Sequence, residues 1–170
     1  MHFYALRIKS WGINFFCKKS GGDYLDIKFM QRALELAEKG KGYTAPNPLV
    51  GAVIVKDGRI IGEGYHQVYG GHHAEINAFN NAREEVEGAT MYVNLEPCAH
   101  YGKTPPCANA IVEKKIKKVI IGLVDPNPLV SGKGIKILQD NGIQVVTGVL
   151  QEESKKLNEV FLKYIGAKLP

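Results

Sequence analysis

Residues 89–124 read ATMYVNLEPCAHYGKTPPCANAIVEKKIKKVIIGLV, and this stretch decides the fold class. It begins with a β-rich run, ATMYVNL (89–95), and ends with an unbroken apolar run, KKVIIGLV (117–124); both are typical of buried strands. Between them a proline-containing loop leads into CANAIVEKKI (107–116), which predicts a helix. A strand, a helix and a second strand in this order indicate an α/β protein with parallel strands.

The residues before this stretch predict a helix followed by a hairpin. DIKFMQRALELAEKG (26–40) has apolar residues at helical spacing, a candidate N-cap in Asp26 and a stop at Gly40. The apolar positions are Ile27, Met30, Leu34 and Ala37. VGAVIVKDGRIIGEGY (50–65) then predicts two strands joined by a tight turn, because Asp-Gly between two β-rich runs is a strong hairpin signal.

The rest of the chain continues the alternation. HAEINAFNNAREE (73–85) and GKGIKILQDNG (132–142) predict helices, and IQVVTGVL (143–150) predicts a strand. EESKKLNEVFLKYI (152–165) predicts one last helix. Its expected buried side consists of Leu157, Val160, Phe161 and Tyr164. The pattern therefore predicts an α/β/α sandwich of three layers around a mixed, mainly parallel sheet of five strands.

Composition and charge limit the classes of protein to consider. The chain has 170 residues, 45% of them hydrophobic, which fits one globular domain. Three cysteines are too few for a disulfide framework, and no apolar run approaches the roughly 18 residues of a membrane span, so we expect a cytoplasmic protein. Of the net charge of +5, residues 1–24 carry +3, which leaves a weak balance for the body and argues against nucleic-acid binding. We expect EKKIKK (113–118) to be a solvated helix end.

Cys98 and Cys107 flank a loop of eight residues and indicate a metal site. Cys98 follows a strand and Cys107 opens a helix, where a thiol loses its proton more easily and becomes a metal ligand. The chain has three cysteines in all, and the third, Cys17, is distant in sequence, so a four-cysteine cluster is impossible. A nitrogen donor is therefore expected, and His73 in GGHHAE is the best candidate. One histidine and two cysteines would leave a fourth tetrahedral position on zinc for water.

Glu75, two residues after His73, is a candidate proton carrier for a water on the metal. In the middle of a helix such residues point about 200° apart, so both reach one pocket only at the looser start of a helix. Alternatives exist for each part: an HxE pair usually faces solvent, and two cysteines can be small buried hydrophobes. Their joint occurrence at two helix starts favours the metal.

At this point the chain resembles the zinc-dependent cytidine-deaminase-like superfamily, whose pattern is HxE…PCxxC. The spacer of eight residues is similar to one branch, the deaminase half of the bifunctional riboflavin-biosynthesis deaminase/reductase. TAPNPLVGAVIV, GEGYH, GGHHAE, NLEPCAHYGKTPPC, DPNPLVSGKG and LNEVFL all resemble its motifs, over residues 26–163. The resemblance implies a deaminase domain over residues 25–166, preceded by an extension (1–24) of unclear role.

The resemblance implies His73, Cys98 and Cys107 as ligands of one zinc ion and Glu75 as the catalytic proton carrier. It implies hydrolysis of the ring amino group of 2,5-diamino-6-ribosylamino-4(3H)-pyrimidinone 5′-phosphate, with release of ammonia. The positions it matches to substrate contacts are Asn47, His66 and Asn127. We add His100, Lys103 and Thr104, on the loop between the cysteines, as a hypothetical phosphate site. SGKG (131–134) lacks the full phosphate-loop pattern and is interpreted as a helix entry.

In the family that the chain resembles, a reductase half follows where this chain stops, so the resemblance implies no NADPH site here and an unreduced product. Two alternatives stay open: a natural stand-alone deaminase, with a reductase on a separate chain as an optional partner, or a chain trimmed at the linker. The resemblance also implies a homo-oligomer. Two other functions stay open. A deaminase of tRNA adenosine or of free cytosine nucleotides would use the same scaffold, but the long spacer and DPNP favour the riboflavin branch. A zinc-stabilised interaction module without activity is disfavoured by Glu75, because a structural site uses four protein ligands.

Overall fold

The structure is a computed structural model that describes residues 5–7, 14–16, 21–100, 105–127 and 131–168. Seven strands and six helices lie in these ranges. The strands are β1 Ala5–Arg7, β2 Asn14–Phe16, β3 Gly51–Lys56, β4 Arg59–Tyr65, β5 Thr90–Leu95, β6 Lys118–Leu123 and β7 Gln144–Thr147. The helices are α1 Gly21–Glu38, α2 Ala74–Asn80, α3 Cys107–Glu113, α4 Lys133–Asp140, α5 Gln151–Leu157 and α6 Glu159–Lys168.

The five strands β3 to β7 form one sheet in the order β4-β3-β5-β6-β7. β3 is antiparallel to both of its neighbours, whereas β5, β6 and β7 pair in parallel. Four of the five strands therefore point in one direction and β3 alone is reversed, which confirms the predicted mixed, mainly parallel sheet. The hairpin is also confirmed: Asp57 and Gly58 close it, and both have positive φ.

Residues alternate between the two faces of the sheet, so the core has two halves. On β3, Ala52 and Ile54 pack with α2, α3 and α4, whereas Val53 packs on the opposite face with α1. On β6, Ile121 faces the first half and Ile120 the second. Helices thus cover both faces, and the three-layer architecture is confirmed.

Two glycines allow helices to approach the sheet closely. A Cβ atom on Gly64 of β4 would lie 2.2 Å from the Ala78 nitrogen and 2.5 Å from the Ala74 carbonyl oxygen, both in the backbone of α2. A Cβ on Gly122 of β6 would lie 2.4 Å from Ser154 Oγ of α5. These contacts press α2 and α5 onto the sheet near the ends of β4 and β6.

Several details of the predicted helices are wrong. α1 begins at Gly21, so Asp26 lies inside the helix; its carboxylate accepts a hydrogen bond from the Tyr92 hydroxyl (2.8 Å) instead of capping the helix. α2 ends at Asn80. The boundary between an extension (1–24) and a domain (25–166) stays a prediction. In the structure this boundary falls within α1, and the residues before α1 include β1 and β2, which pair in a small antiparallel sheet.

The predicted C-terminal helix is two helices, α5 and α6, which meet at Asn158. On α6, 83% of the surface of Val160 and 43% of that of Tyr164 are exposed, so neither is buried as predicted. Phe161 faces the cavity described below. Within the described ranges, every helix is too short or too polar to cross a bilayer.

Candidate active site

A cavity of about 280 Å³ opens at one edge of the sheet. β4, β5 and β6 run in the same direction, so their carboxyl ends meet at this edge, together with the amino end of the reversed β3. The residues just outside these strand ends therefore converge, as expected for α/β proteins. The cavity brings together seven predicted site residues: Asn47, His66, His73, Glu75, Cys98, His100 and Asn127.

His73 and Glu75 reach the same cavity because α2 begins between them. His73 is the N-cap of α2 and has extended backbone (φ −69°, ψ 162°), whereas Glu75 is the second helical residue. Inside a helix, side chains two positions apart would point in different directions. The change from extended to helical backbone between these residues lets both side chains point into the cavity. The close approach of α2 to Gly64 fixes this helix start over the end of the sheet.

The donor atoms of His73, Cys98 and Cys107 lie within 4.8 Å of one another. His73 Nδ1 is 3.2 Å from the Cys107 sulfur and 3.6 Å from the Cys98 sulfur. In a tetrahedral zinc site with bonds of about 2.3 Å to sulfur and about 2.0 Å to nitrogen, such atoms are roughly 3.6 Å apart. The three donors fit zinc, and all three are of the kinds that zinc prefers.

Hydrogen bonds around the two sulfurs favour one thiolate. The pKa of Cys98 is lowered to about 4, first by a hydrogen bond with the Cys107 thiol. Burial opposes this shift, whereas the His73 ring and the backbone N–H of Cys107, 3.2 Å from the Cys98 sulfur, add to it. The pKa of Cys107 is raised, first by its hydrogen bond to Cys98 and then by burial. Without metal, the pair therefore shares one proton, held at Cys107, and binding a cation would release it.

Glu75 is 3% exposed. Burial, reinforced by the charge of Cys98, raises its pKa to about 7. The carboxyl group also contacts the Cys107 thiol through a hydrogen bond. A carboxyl whose pKa is near neutral and which lies against the metal donors is suited to accept and return a proton at physiological pH.

His66 is held as a neutral ring beside His73. Its Nδ1 lies 3.0 Å from the carbonyl oxygen of His72, so it donates there, and Nε2 accepts from the Asn47 amide at 3.1 Å. Burial is the main cause that lowers the pKa of His66. The His66 and His73 rings meet edge to face, with centroids 5.6 Å apart. His72 thus supports the site through its backbone carbonyl oxygen.

Glu96 is a site residue that the sequence analysis missed. It is 6% exposed, and its carboxylate accepts four backbone N–H bonds of 3.0 to 3.3 Å, from Asp125, Gly132, Gly134 and Ile135. This carboxylate fastens the start of the cysteine loop to the loop of Asn127 and to the beginning of α4. Asp125 also lines the cavity, and its carboxylate accepts the Asn127 N–H at 2.9 Å.

Both acids lie in motifs that were recognised, NLEPC and DPNP, but only the fold brings them together. The cavity also has an apolar wall that was not predicted, formed by Pro48, Val50, Leu95, Phe161 and Ile165. Lys103 and Thr104 lie outside the described residues. The catalytic and substrate-binding roles assigned from the sequence stay predictions.

Proteins similar to this chain are zinc-binding deaminases, in agreement with the geometry of the site. Residues 24–123 match the family described as the cytidine and deoxycytidylate deaminase zinc-binding region. The diaminohydroxyphosphoribosylamino-pyrimidine deaminase of Buchnera aphidicola subsp. Schizaphis graminum is 51% identical over 145 residues, which cover 85% of this chain and 99% of that protein. The chain belongs to the zinc-binding deaminase family of riboflavin biosynthesis. The riboflavin biosynthesis protein RibD of Actinobacillus pleuropneumoniae is 54% identical over 145 residues, or 85% of the chain.

The fold of this deaminase is also that of solved relatives. RibD of Acinetobacter baumannii, form 2, superposes with a TM-score of 0.85 at 51% identity, over 88% of this chain. The deaminase spans 42% of that chain and 39% of the Actinobacillus protein. The comparisons therefore confirm the predicted cytidine-deaminase-like fold and a zinc-binding deaminase domain.

Proposed function

We propose that this deaminase hydrolyses 2,5-diamino-6-ribosylamino-4(3H)-pyrimidinone 5′-phosphate to 5-amino-6-ribosylamino-uracil 5′-phosphate and ammonia. The observation that carries the proposal is the grouping of His73, Cys98 and Cys107 beside the buried Glu75 in one cavity. The Buchnera relative, which the chain covers almost completely, is named for this reaction. We propose that the reaction is an early step of riboflavin biosynthesis.

His73, Cys98 and Cys107 would hold the zinc ion. When bound, zinc supplies the Lewis acidity that makes water a nucleophile near neutral pH. Glu75 accepts one proton from the attacking water as its oxygen bonds to the amino-bearing ring carbon. The same carboxyl then gives that proton to the departing nitrogen, so the C–N bond breaks and ammonia leaves. Burial favours the neutral form of the Glu75 carboxyl group and so strengthens the carboxylate as a proton acceptor in the first transfer.

The polar groups of the cavity would orient the ring. Asn47 and His66 form one hydrogen-bonded pair beside His73, and Asn127 lines the same cavity. We propose that these three bind the pyrimidine and that His100, with Lys103 and Thr104, binds the phosphate. His100 lines the cavity and is exposed, which supports a position at its mouth.

The function is tested by incubating the zinc-loaded protein with the diaminopyrimidine ribotide, deoxycytidylate, cytidine and an adenosine-containing tRNA in parallel. Ammonia release and product mass are measured for each. We expect turnover of the ribotide at least 100-fold above that of the other three substrates. Sites that hydrogen-bond their substrate discriminate against analogues by on the order of 10⁴, so 100-fold is a lower limit. Preference for deoxycytidylate, cytidine or tRNA would reject it in favour of another deaminase of the same scaffold.

We also propose the surroundings in which this domain works. Cys98 and Cys107 are free thiols that serve as ligands only when reduced, which supports a reducing cytoplasm. A solved relative from Thermotoga maritima, of which this chain covers 43%, is named as both the deaminase and a 5-amino-6-(5-phosphoribosylamino)uracil reductase, which supports a reductase that acts on the product, either on the same chain or on a partner. We also propose a homo-oligomer. Gel filtration with light scattering, with and without the reductase, tests the assembly; a monomer under both conditions would reject it.

A further inference from the structure

The junction of α5 and α6 is joined to the substrate side of the cavity by one buried side chain. Asn158 is 2% exposed and lies 109 residues from its partner, Leu49. Its Oδ1 accepts the Leu49 N–H at 2.8 Å, and its Nδ2 donates to the Leu49 carbonyl at 2.9 Å. One amide therefore satisfies both backbone groups of a residue, as a neighbouring strand would.

A second buried amide holds the same segment from the sheet. Asn94 of β5 is fully buried, donates to the Leu49 carbonyl at 3.0 Å and accepts the Gly51 N–H at 2.8 Å. The segment Leu49–Gly51 is thus fixed between Asn94 and Asn158, two residues after Asn47. This arrangement requires α5 to lie close to the sheet, which the absence of a side chain on Gly122 permits.

The same junction also fixes the start of α6. The Asn158 carbonyl accepts the Leu162 N–H at 2.9 Å, the first turn of α6. From there Phe161 and Ile165, four residues apart on one side of the helix, line the cavity, whereas Val160 is 83% exposed. Asn158 therefore fixes two walls of the cavity relative to each other: the loop of Asn47 and the apolar side of α6.

We propose that Asn158 is a positioning residue for the substrate, and that it seats α6 so that Phe161 and Ile165 form an apolar wall against the ribosylaminopyrimidine. This inference rests on the proposed function. The wall gives binding energy by removing apolar surface from water and keeps bulk water out of the cavity. Asn158 lies outside the metal group, so its loss should weaken substrate binding and leave zinc in place.

The test compares Asn158→Asp with Asn141→Asp. Aspartate at position 158 keeps an acceptor for the Leu49 N–H but places a second oxygen against the Leu49 carbonyl oxygen. The loss of this hydrogen bond should lower the equilibrium constant for the native position of the loop about tenfold or more. Asn141 is a matched control, because it also follows the last turn of a helix and donates to a backbone carbonyl, at 2.8 Å from Ile137, but is exposed. We expect KM for the ribotide to rise roughly tenfold or more in Asn158→Asp with kcat changed by less than about threefold, a loss of uniform binding.

Phe161→Ala and Val160→Ala separate the wall from general damage to α6. Phe161→Ala should raise KM by roughly tenfold, as loss of a large apolar contact predicts, and Val160→Ala should match wild type. Zinc should stay at one ion per chain in all four variants. Unchanged KM in a folded Asn158→Asp, or equal KM in Phe161→Ala and Val160→Ala, would overturn the inference.

Hydrogen exchange gives a readout that does not depend on turnover. In Asn158→Asp, amides of residues 49–51 and 159–165 should exchange faster than in wild type, and in Asn141→Asp they should not. If wild type fails to deaminate the ribotide but exchange behaves as expected, the proposed function is wrong and the seating of α6 stands. If exchange is unchanged, the seating is wrong whatever the activity.

Discussion

Adding one methyl group at Gly64 should damage both the stability and the activity of the deaminase. Gly64→Ala would place a Cβ 2.2 Å from the Ala78 nitrogen, with the Ala74 carbonyl oxygen 2.5 Å away. Ordinary van der Waals contacts of a Cβ atom begin at 3.4 Å, about 1.2 Å more than the 2.2 Å found here. Because the backbone atoms of a helix cannot move independently, α2 as a whole would have to move away from β4 by about this distance.

The magnitude follows from this displacement. Overpacking of a close-packed site costs about 1–3 kcal/mol in the free energy of unfolding. α2 carries Glu75, the proposed proton carrier, and begins next to His73. The same shift should therefore misplace Glu75 by about 1 Å, which costs roughly 100-fold in kcat/KM. Both effects arise from one contact, so stability and activity should fall together.

Urea unfolding and ammonia release measure the two effects. Gly166→Ala is the matched control: this exposed glycine of α6 has nothing within 4 Å of the added Cβ, and alanine there should raise stability by up to about 1 kcal/mol. A Gly64→Ala protein with the unfolding midpoint and the kcat/KM of wild type would refute the close packing of α2 on β4.

Three further predictions concern charge and metal. Arg32 lowers the pKa of Glu63 through hydrogen bonds of 2.6 and 3.1 Å. The ion pair therefore stabilises the fold above the ordinary carboxyl pKa and loses this effect in acid. Arg32→Met should cost about 0.5–1 kcal/mol of unfolding free energy at neutral pH, with a smaller cost once acid protonates Glu63; a cost independent of pH would contradict the pairing. Cys107→Ser should lose zinc, measured by atomic emission, whereas Cys17→Ser should retain it; equal metal content would argue against the site. In metal-free protein, the folded state holds a proton on Glu75 that the unfolded chain releases above pH 4.5. Unfolding free energy should therefore fall by up to about 3 kcal/mol between pH 4.5 and 7, relative to Glu75→Gln; parallel pH profiles for the two proteins would contradict this.

The sequence predicts most of the fold because its signals are local. The helical spacing of apolar residues in 26–40, the Asp-Gly turn and apolar runs such as KKVIIGLV depend on neighbours along the chain. The donors His73, Cys98 and Cys107 were found in the same way, since His73 and Cys107 lie at helix starts and Cys98 follows a strand. The fold then explains their meeting, because the strand ends before them lie at one edge of the sheet.

Contacts between distant residues could not be predicted in this way. Glu96 satisfies four N–H groups up to 39 positions away, and Asn158 holds Leu49 across 109 positions. Nothing in the local pattern distinguishes these side chains from solvated ones. The break between α5 and α6 has the same origin: EESKKLNEVFLKYI favours one continuous helix, and the burial of Asn158 against a distant loop divides it.

The proposed role of Glu75 is tested most directly by replacing it with glutamine, which keeps the shape of the side chain but removes the carboxyl group proposed to carry the proton. Zinc content and ammonia release from the diaminopyrimidine ribotide should be measured on the same sample. We expect one zinc ion per chain, as in wild type, with ammonia release reduced by a factor of about 10² to 10⁴. Retained turnover in a zinc-loaded Glu75→Gln protein would contradict this role.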